Sequence, residues 1–355
     1  MERDQARAKF LQQSAMQKST NATFSDTIPT ASPTNTAFQF TVFTEVGSDP
    51  TTYVLIVDTG SANTWLGAGR PYTVMPSSHD TGVEMFVQYE TGSFIGEEFL
   101  DQLSFTEFVT IPQQAIGVAS SFEGFEGVDG ILGLGPTDLT AGTTSNGALV
   151  PTVLDNAFSL GLIDSKEIGI FFEPVTSLSG SDGQLALGGT DPSAIDLTSD
   201  ILFVPMTTTF PANQFVGIDQ SVAYGSTTIL SETAGIVDTG TTLLLLASDA
   251  FATYQQLTGA VLDPTTGLLS ITPAQFANLQ SLFFNIGDTT YEFIPNAQIW
   301  PRVYLSRNRG HWFTSGEGLD FVNGFVWLER FYFVWDAGNN QVGFATTRDT
   351  NVTSN

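Results

Sequence analysis

Helical periodicity is scarce in this chain, and short alternating runs take its place. Phe38-Gln39-Phe40-Thr41-Val42-Phe43 and Phe105-Thr106-Glu107-Phe108-Val109-Thr110-Ile111 alternate or nearly alternate between apolar and polar. That period places one face on a core and the other in water, which predicts strands. Two runs differ. Val54-Leu55-Ile56-Val57 and Gly235-Ile236-Val237 are continuously apolar and rich in β-branched residues. Such runs suit strands buried on both faces. Helices are expected at two places. One lies around Ser248–Leu257, opening at Ser248 or Asp249. The other lies around Pro273–Leu279, with Thr272 as N-cap and Pro273 at the first helical position. The expected fold class is all-β, mainly strands with a few short helices.

Both buried runs end at an acid, and the residues after each acid are nearly the same. The first continues Asp58-Thr59-Gly60-Ser61, the second Asp238-Thr239-Gly240-Thr241-Thr242. The two acids stand about half the chain apart. This repetition predicts two related lobes that bring two aspartates together. A third Asp-Thr-Gly, Asp80-Thr81-Gly82, comes after the polar Met75-Pro76-Ser77-Ser78-His79 and has no buried strand leading into it. It reads as a surface turn, since Asp and Gly both favour turns.

A length of 355 residues fits two domains of ordinary size, and 41% hydrophobic content suits a globular protein. Charge adds a constraint. Eleven basic residues face 37 acidic ones, for a formal net charge of −26. Such a polyanion repels nucleic acid and anionic membranes. It also repels itself near neutrality, and acidification relieves this. The composition therefore suits an acidic medium, or simply a soluble acidic protein. With no cysteine there is no disulfide, thiol nucleophile or thiolate metal site. His79 and His311 are too few for a His-rich zinc site, so neither metal nor cofactor is expected. No apolar run reaches the length of a membrane span.

The chain divides into five parts. Residues 1–19 are basic, with Arg3, Arg7, Lys9 and Lys18, and lack the apolar stretch of a signal peptide. Residues 20–36 are rich in Ser, Thr and Pro and read as a linker. An N-terminal lobe is placed at 37–190, with a hairpin turn at Gly180–Gly183, and a C-terminal lobe at 191–346. A polar tail, 347–355, is expected to fray. Two sequons, at Asn21 and Asn351, lie near the ends and would accept glycans if the chain is secreted.

These motifs together resemble the pepsin-like aspartic proteases, most closely the fungal polyporopepsin type, over about 37–346. Asp58-Thr59-Gly60-Ser61 with Asn63-Thr64-Trp65 resembles the first active-site loop. Gln88-Tyr89-Glu90-Thr91-Gly92-Ser93-Phe94 resembles the flap hairpin. Asp129-Gly130-Ile131-Leu132-Gly133-Leu134-Gly135 resembles the segment that closes the first loop. Asp238-Thr239-Gly240-Thr241-Thr242 resembles the second loop. Phe321-Val322-Asn323-Gly324 and Phe331-Tyr332-Phe333-Val334-Trp335-Asp336 resemble the closing segment of the second lobe. The resemblance implies a bilobal fold with a cleft between related lobes. It implies a secreted or vacuolar monomer that hydrolyses polypeptides, with no nucleic-acid or membrane partner. Residues 1–19 resemble the end of a prosegment, which implies a zymogen.

Within that frame Asp58 and Asp238 form the dyad. One ionised carboxylate accepts a proton from water while its protonated partner donates to the carbonyl oxygen. Gly60 and Gly240 admit backbone N–H groups to the carboxylates. By the resemblance, Thr59 and Thr239 reach across the lobe interface. Ser61 and Thr241 stand where a hydroxyl bonds the outer carboxylate oxygens. Tyr89, Glu90 and Thr91 belong to a mobile flap, and Trp65 either orients Tyr89 through its indole N–H or is core. Phe122 and Ile131 are candidates for an apolar pocket beside the dyad, or for plain core. Three departures stand out. Glu90 replaces a glycine, and Asn323 replaces an apolar residue. Arg302–Trp312 is shorter and more basic than the family's segment, which normally brings a strand before the closing motif. That segment reads either as a basic patch on the primed side or as a divergent stretch that costs the lobe a strand. The alternative function is a pepsin-like binding or inhibitor protein that does not cut. Two intact aspartate loops argue against it.

Overall fold

A computed structural model describes residues 28–35, 39–89, 92–106, 109–174, 183–263, 268–299, 309–310, 312–314 and 319–353. The prosegment-like residues 1–19, Asn21, Glu90, Thr91, the turn residues 180–182 and most of Arg302–Trp312 lie outside them.

The described residues are mostly strand, with few and short helices. Three large sheets organise them. An eight-stranded sheet comes from the N-terminal half and a seven-stranded one from the C-terminal half. Their centres share one plan. In the first, Thr51–Asp58 runs parallel to Gly130–Gly133, which pairs antiparallel with Trp65–Leu66, which runs parallel to Gly117 and Val118. In the second, Thr227–Val237 runs parallel to Phe321–Asn323, which pairs antiparallel with Leu244–Leu246, which runs parallel to Trp312–Thr314. The apolar runs are thus interior strands of their sheets, and consecutive residues in them are buried, as their unbroken apolar character requires. Each ends at its aspartate.

The third sheet joins the halves. Its six strands run Thr30–Ala31, Gly183–Leu187, Glu167–Phe172, Phe331–Asp336, Gln341–Thr346 and Leu202–Pro205. Residues 28–35, placed in a linker by composition, therefore include an edge strand. Of the two readings of Arg302–Trp312, the one that would cost the second lobe a strand meets Trp312–Thr314. That strand is present as an edge of the seven-stranded sheet.

The helices differ in detail from expectation. Ser248–Thr258 forms, with Ala247 as N-cap and no side-chain cap. The next is only Pro273–Phe276. Its Thr272 cap and Gln275 form a capping box, but the Leu279 N–H already bonds Phe276 O, a three-residue turn that ends the helix. Val153–Ser159 was not expected; Thr152 and Asp155 cap it reciprocally. The tail is docked rather than frayed as far as Val352. Thr347 and Thr350 are buried, and Arg330 Nη1 donates to the carbonyls of Asp349 (3.1 Å) and Val352 (3.0 Å). The third Asp-Thr-Gly lies within the edge strand His79–Gln88, not in a separate turn. The ladder skips between Asp80 and Glu84, and the Gly82 N–H bonds Asp80 Oδ1 at 2.8 Å, a local turn inside a bulge.

Candidate active site

The two aspartate loops face each other across the halves with near two-fold symmetry. Each carboxylate is held by its own loop. Asp58 Oδ1 accepts from the Gly60 N–H at 2.9 Å, and Asp238 Oδ1 from the Gly240 N–H at 2.9 Å. The outer oxygens accept from hydroxyls, Asp58 Oδ2 from Ser61 and Asp238 Oδ2 from Thr241 at 2.6 Å. Close approach explains the glycines. A Cβ on Gly60 would lie 2.6 Å from Asp238 Oδ1, and one on Gly240 would lie 2.4 Å from Asp58 Oδ1. Each loop therefore presses its glycine against the other loop's acid.

Below the carboxylates the loops are tied together. Thr59 Oγ1 accepts from the Thr239 N–H (3.1 Å) and donates to Val237 O (3.2 Å). Thr239 Oγ1 accepts from the Thr59 N–H (2.9 Å) and donates to Val57 O (2.9 Å). Both threonines are fully buried. Four buried hydrogen bonds at about 1 kcal/mol each make this a firm lock, and each hydroxyl serves both as donor and acceptor.

Electrostatics depend on burial. Asp58 is buried and Asp238 half-buried. Desolvation, then the neighbouring Asp238 charge, pushes the Asp58 carboxyl up to about 7, against the hydrogen bonds from Ser61 and Gly60 that favour its ionised form. The two carboxyl groups are neighbours, since each loop's glycine abuts the other loop's acid. A pair of this kind holds one proton between its members across the mildly acidic range.

The flap hairpin, His79–Gln88 with Ser93–Thr106, carries Tyr89 at its end. Tyr89 packs edge-on against Phe125 at 5.3 Å and lies 6.4 Å from the Trp65 ring, which stacks on Phe94 at 4.6 Å. The Tyr89 hydroxyl and the Trp65 indole N–H are both buried, and neither makes a well-formed hydrogen bond. Of the two roles open to Trp65, ring packing beneath Tyr89 is the one its contacts display. Burial, then the Asp58 charge, pushes the Tyr89 phenol well upward, against weaker opposing effects of Trp65 and Ser61, so it remains a donor.

Ile131 joins the cluster beneath the flap, with Ile56, Trp65 and Phe125, and packs beside Asp58's strand. Phe122 is 40% exposed, near the end of Val109–Glu123 and opposite Phe94. Two contributors carry no role that the sequence alone assigns. Asp129 accepts from the Val54 N–H (2.8 Å) and the Arg70 N–H (2.6 Å), pinning the loop before Gly130. Phe125 carries the Tyr89 contact. Asp129 is visible in the closing motif, but its bonds to main-chain N–H groups leave no sequence pattern. Among the described residues no group of three or more Asp, Glu or His could hold a metal ion, and no helix is long and apolar enough to cross a membrane.

Comparison with known proteins agrees with this geometry. The family model for eukaryotic aspartyl protease matches residues 39–347. Polyporopepsin of Irpex lacteus is 52% identical over 338 residues, covering 91% of this chain and 98% of that protein. Cathepsin E of Mus musculus is 30% identical over 328 residues, covering 84% and 78%. The crystal structure of aspartic proteinase from Irpex lacteus superposes with a TM-score of 0.89 at 50% identity, covering 93% of this chain and 100% of that one. The chain belongs to the eukaryotic aspartyl protease family and is a bilobal, pepsin-like aspartic endopeptidase.

Proposed function

We propose that this protein is a secreted monomeric endopeptidase that cuts polypeptides in an acidic medium, with Asp58 and Asp238 as its catalytic pair. A water seated between the carboxyls attacks the scissile carbonyl carbon. The ionised carboxylate takes a proton from that water as the protonated one gives its proton to the carbonyl oxygen. The resulting gem-diol collapses, the C–N bond breaks, and the departing nitrogen takes up a proton returned by the pair. Burial favours Asp58 as the proton holder in the free protein. Tyr89 closes over the site as a phenol donor. Ile131 and Phe122 line the apolar side, which favours large apolar residues at the cut.

The observation that carries this reading is the reciprocal seating of the loops, in which each glycine abuts the opposite acid. Secretion is supported by the family, and Asn351, exposed within its sequon, would then be open to a glycan. The test is cleavage of denatured globin at acidic pH by the parent, D58N and D238N, with folding followed by circular dichroism. Each variant should remain folded and lose activity by roughly 10³-fold or more. Cleavage by either at the parent's rate would remove the dyad.

A further inference from the structure

The two aspartate loops are braced unequally. Behind Asp58 the parallel ladder has four register pairs, Leu55–Gly130 through Asp58–Gly133. Behind Asp238 it has two, Ile236–Val322 and Val237–Asn323. The residue before the closing glycine also differs. It is Leu132 in the first half and Asn323 in the second, both fully buried. A buried primary amide is costly unless its donors and acceptor are used. Asn323 Nδ2 donates to Gln220 Oε1 at 2.9 Å, and Gln220 Nε2 donates back to Asn323 Oδ1 at 3.1 Å.

Gln220 is itself anomalous. It occupies an inward position of the strand Gly217–Tyr224, in a row with Ile218, Val222 and Tyr224, and is 0% exposed. In the sheet, Thr227–Val237 lies between that strand and Phe321–Asn323. The amide pair therefore links the two strands that flank the one delivering Asp238. Asn323 also meets Asp238 directly, since its carbonyl accepts the Asp238 N–H at 3.2 Å.

We infer that Gln220 and Asn323 are positioning residues for Asp238. Their paired amides replace the longer ladder that holds Asp58 and fix the second carboxylate against the first. This rests on Asp238 being half of the catalytic pair.

The test is a set of four variants of the full chain, N323L, Q220L, Q220L/N323L and the swap Q220N/N323Q, with D238N as reference. Each single change leaves one buried amide without its partner and should lower the Tm most. The double change removes both amides and should recover most of that Tm. Its kcat on a chromogenic peptide should nevertheless stay about tenfold below the parent, with KM within about twofold and a displaced pH–rate profile. The swap keeps one long and one short amide and should regain most of the lost kcat. A double variant with the parent's kcat and pH profile would reduce the pair to core packing. So would a swap as slow as the double. An active D238N would instead overturn the dyad reading itself, so the two failures are distinguishable.

Discussion

A methyl group added at Gly240 would meet Asp58 Oδ1 at 2.4 Å, with little freedom on either side. Asp58 is held by Gly60 and Ser61, and Gly240 by its own bond to Asp238. G240A should therefore push the acids apart. Kinetics on a peptide substrate should show kcat falling by about 10²-fold, the scale of a misplacement near 1 Å at a reacting centre. The Tm should fall only a few degrees, since Gly240 is exposed. An activity within threefold of the parent would mean that the loops yield easily. Which of these features the sequence discloses depends on where the partners lie. The dyad loops are legible because an apolar run ending at an acid has one economical explanation, and it occurs twice. Asp129 and the Gln220–Asn323 pair are not, because their partners lie 75 and 103 residues away. A carboxylate or amide whose purpose is set by such a partner carries no local mark.

Among the elements, the strands are the most legible, since alternation and continuous burial report directly on what covers each face. The short helices are less so. Val153–Ser159 spans under two full turns, too few for a repeating apolar stripe to emerge, and its start is marked by a box with Asp155 in place of the usual Glu or Gln. Trp312–Thr314 escapes notice because its surroundings depart in composition from the rest of the lobe. Its place is set instead by the topology it shares with Gly117 and Val118. The flap hairpin permits a separation of stability from function. The Tyr89 ring packs on Phe125 and Trp65, while its buried hydroxyl makes no well-formed hydrogen bond. In Y89F the packing is kept and one buried, poorly satisfied hydroxyl is removed. Thermal denaturation should give a Tm equal to or above the parent's. If the hydroxyl donates only once substrate is bound, kcat/KM should fall by about tenfold in the same variant. A fall in Tm of several degrees would mean that the hydroxyl already has a structural partner in the free protein.

For the whole molecule, pH is the controlling variable, and two effects act in one direction. The first is the dyad. Asp58 binds its proton up to about 7 when folded but only to about 3.8 in an unfolded chain. Between those values the native state holds the extra proton, so stability falls as pH rises. The contribution is complete below about 3.8 and lost as pH passes 7, and is on the order of a few kcal/mol. The second is net charge. As the 37 acidic side chains ionise, the net charge approaches −26 and repulsion within the compact state grows. The six-stranded sheet draws strands from both halves, so the loss should appear as one cooperative transition rather than two. Tm measured by calorimetry should decline steadily from pH 4 to pH 7.5. Salt separates the causes, because it screens the exposed charges and leaves the buried pair nearly untouched. In 0.5 M NaCl the parent should recover part of the decline. D58N, which cannot take up the proton, should show a shallower decline at every salt concentration. Parallel Tm profiles for D58N and the parent would mean that the proton held between the acids contributes nothing to folding, and that acid preference arises from surface charge alone.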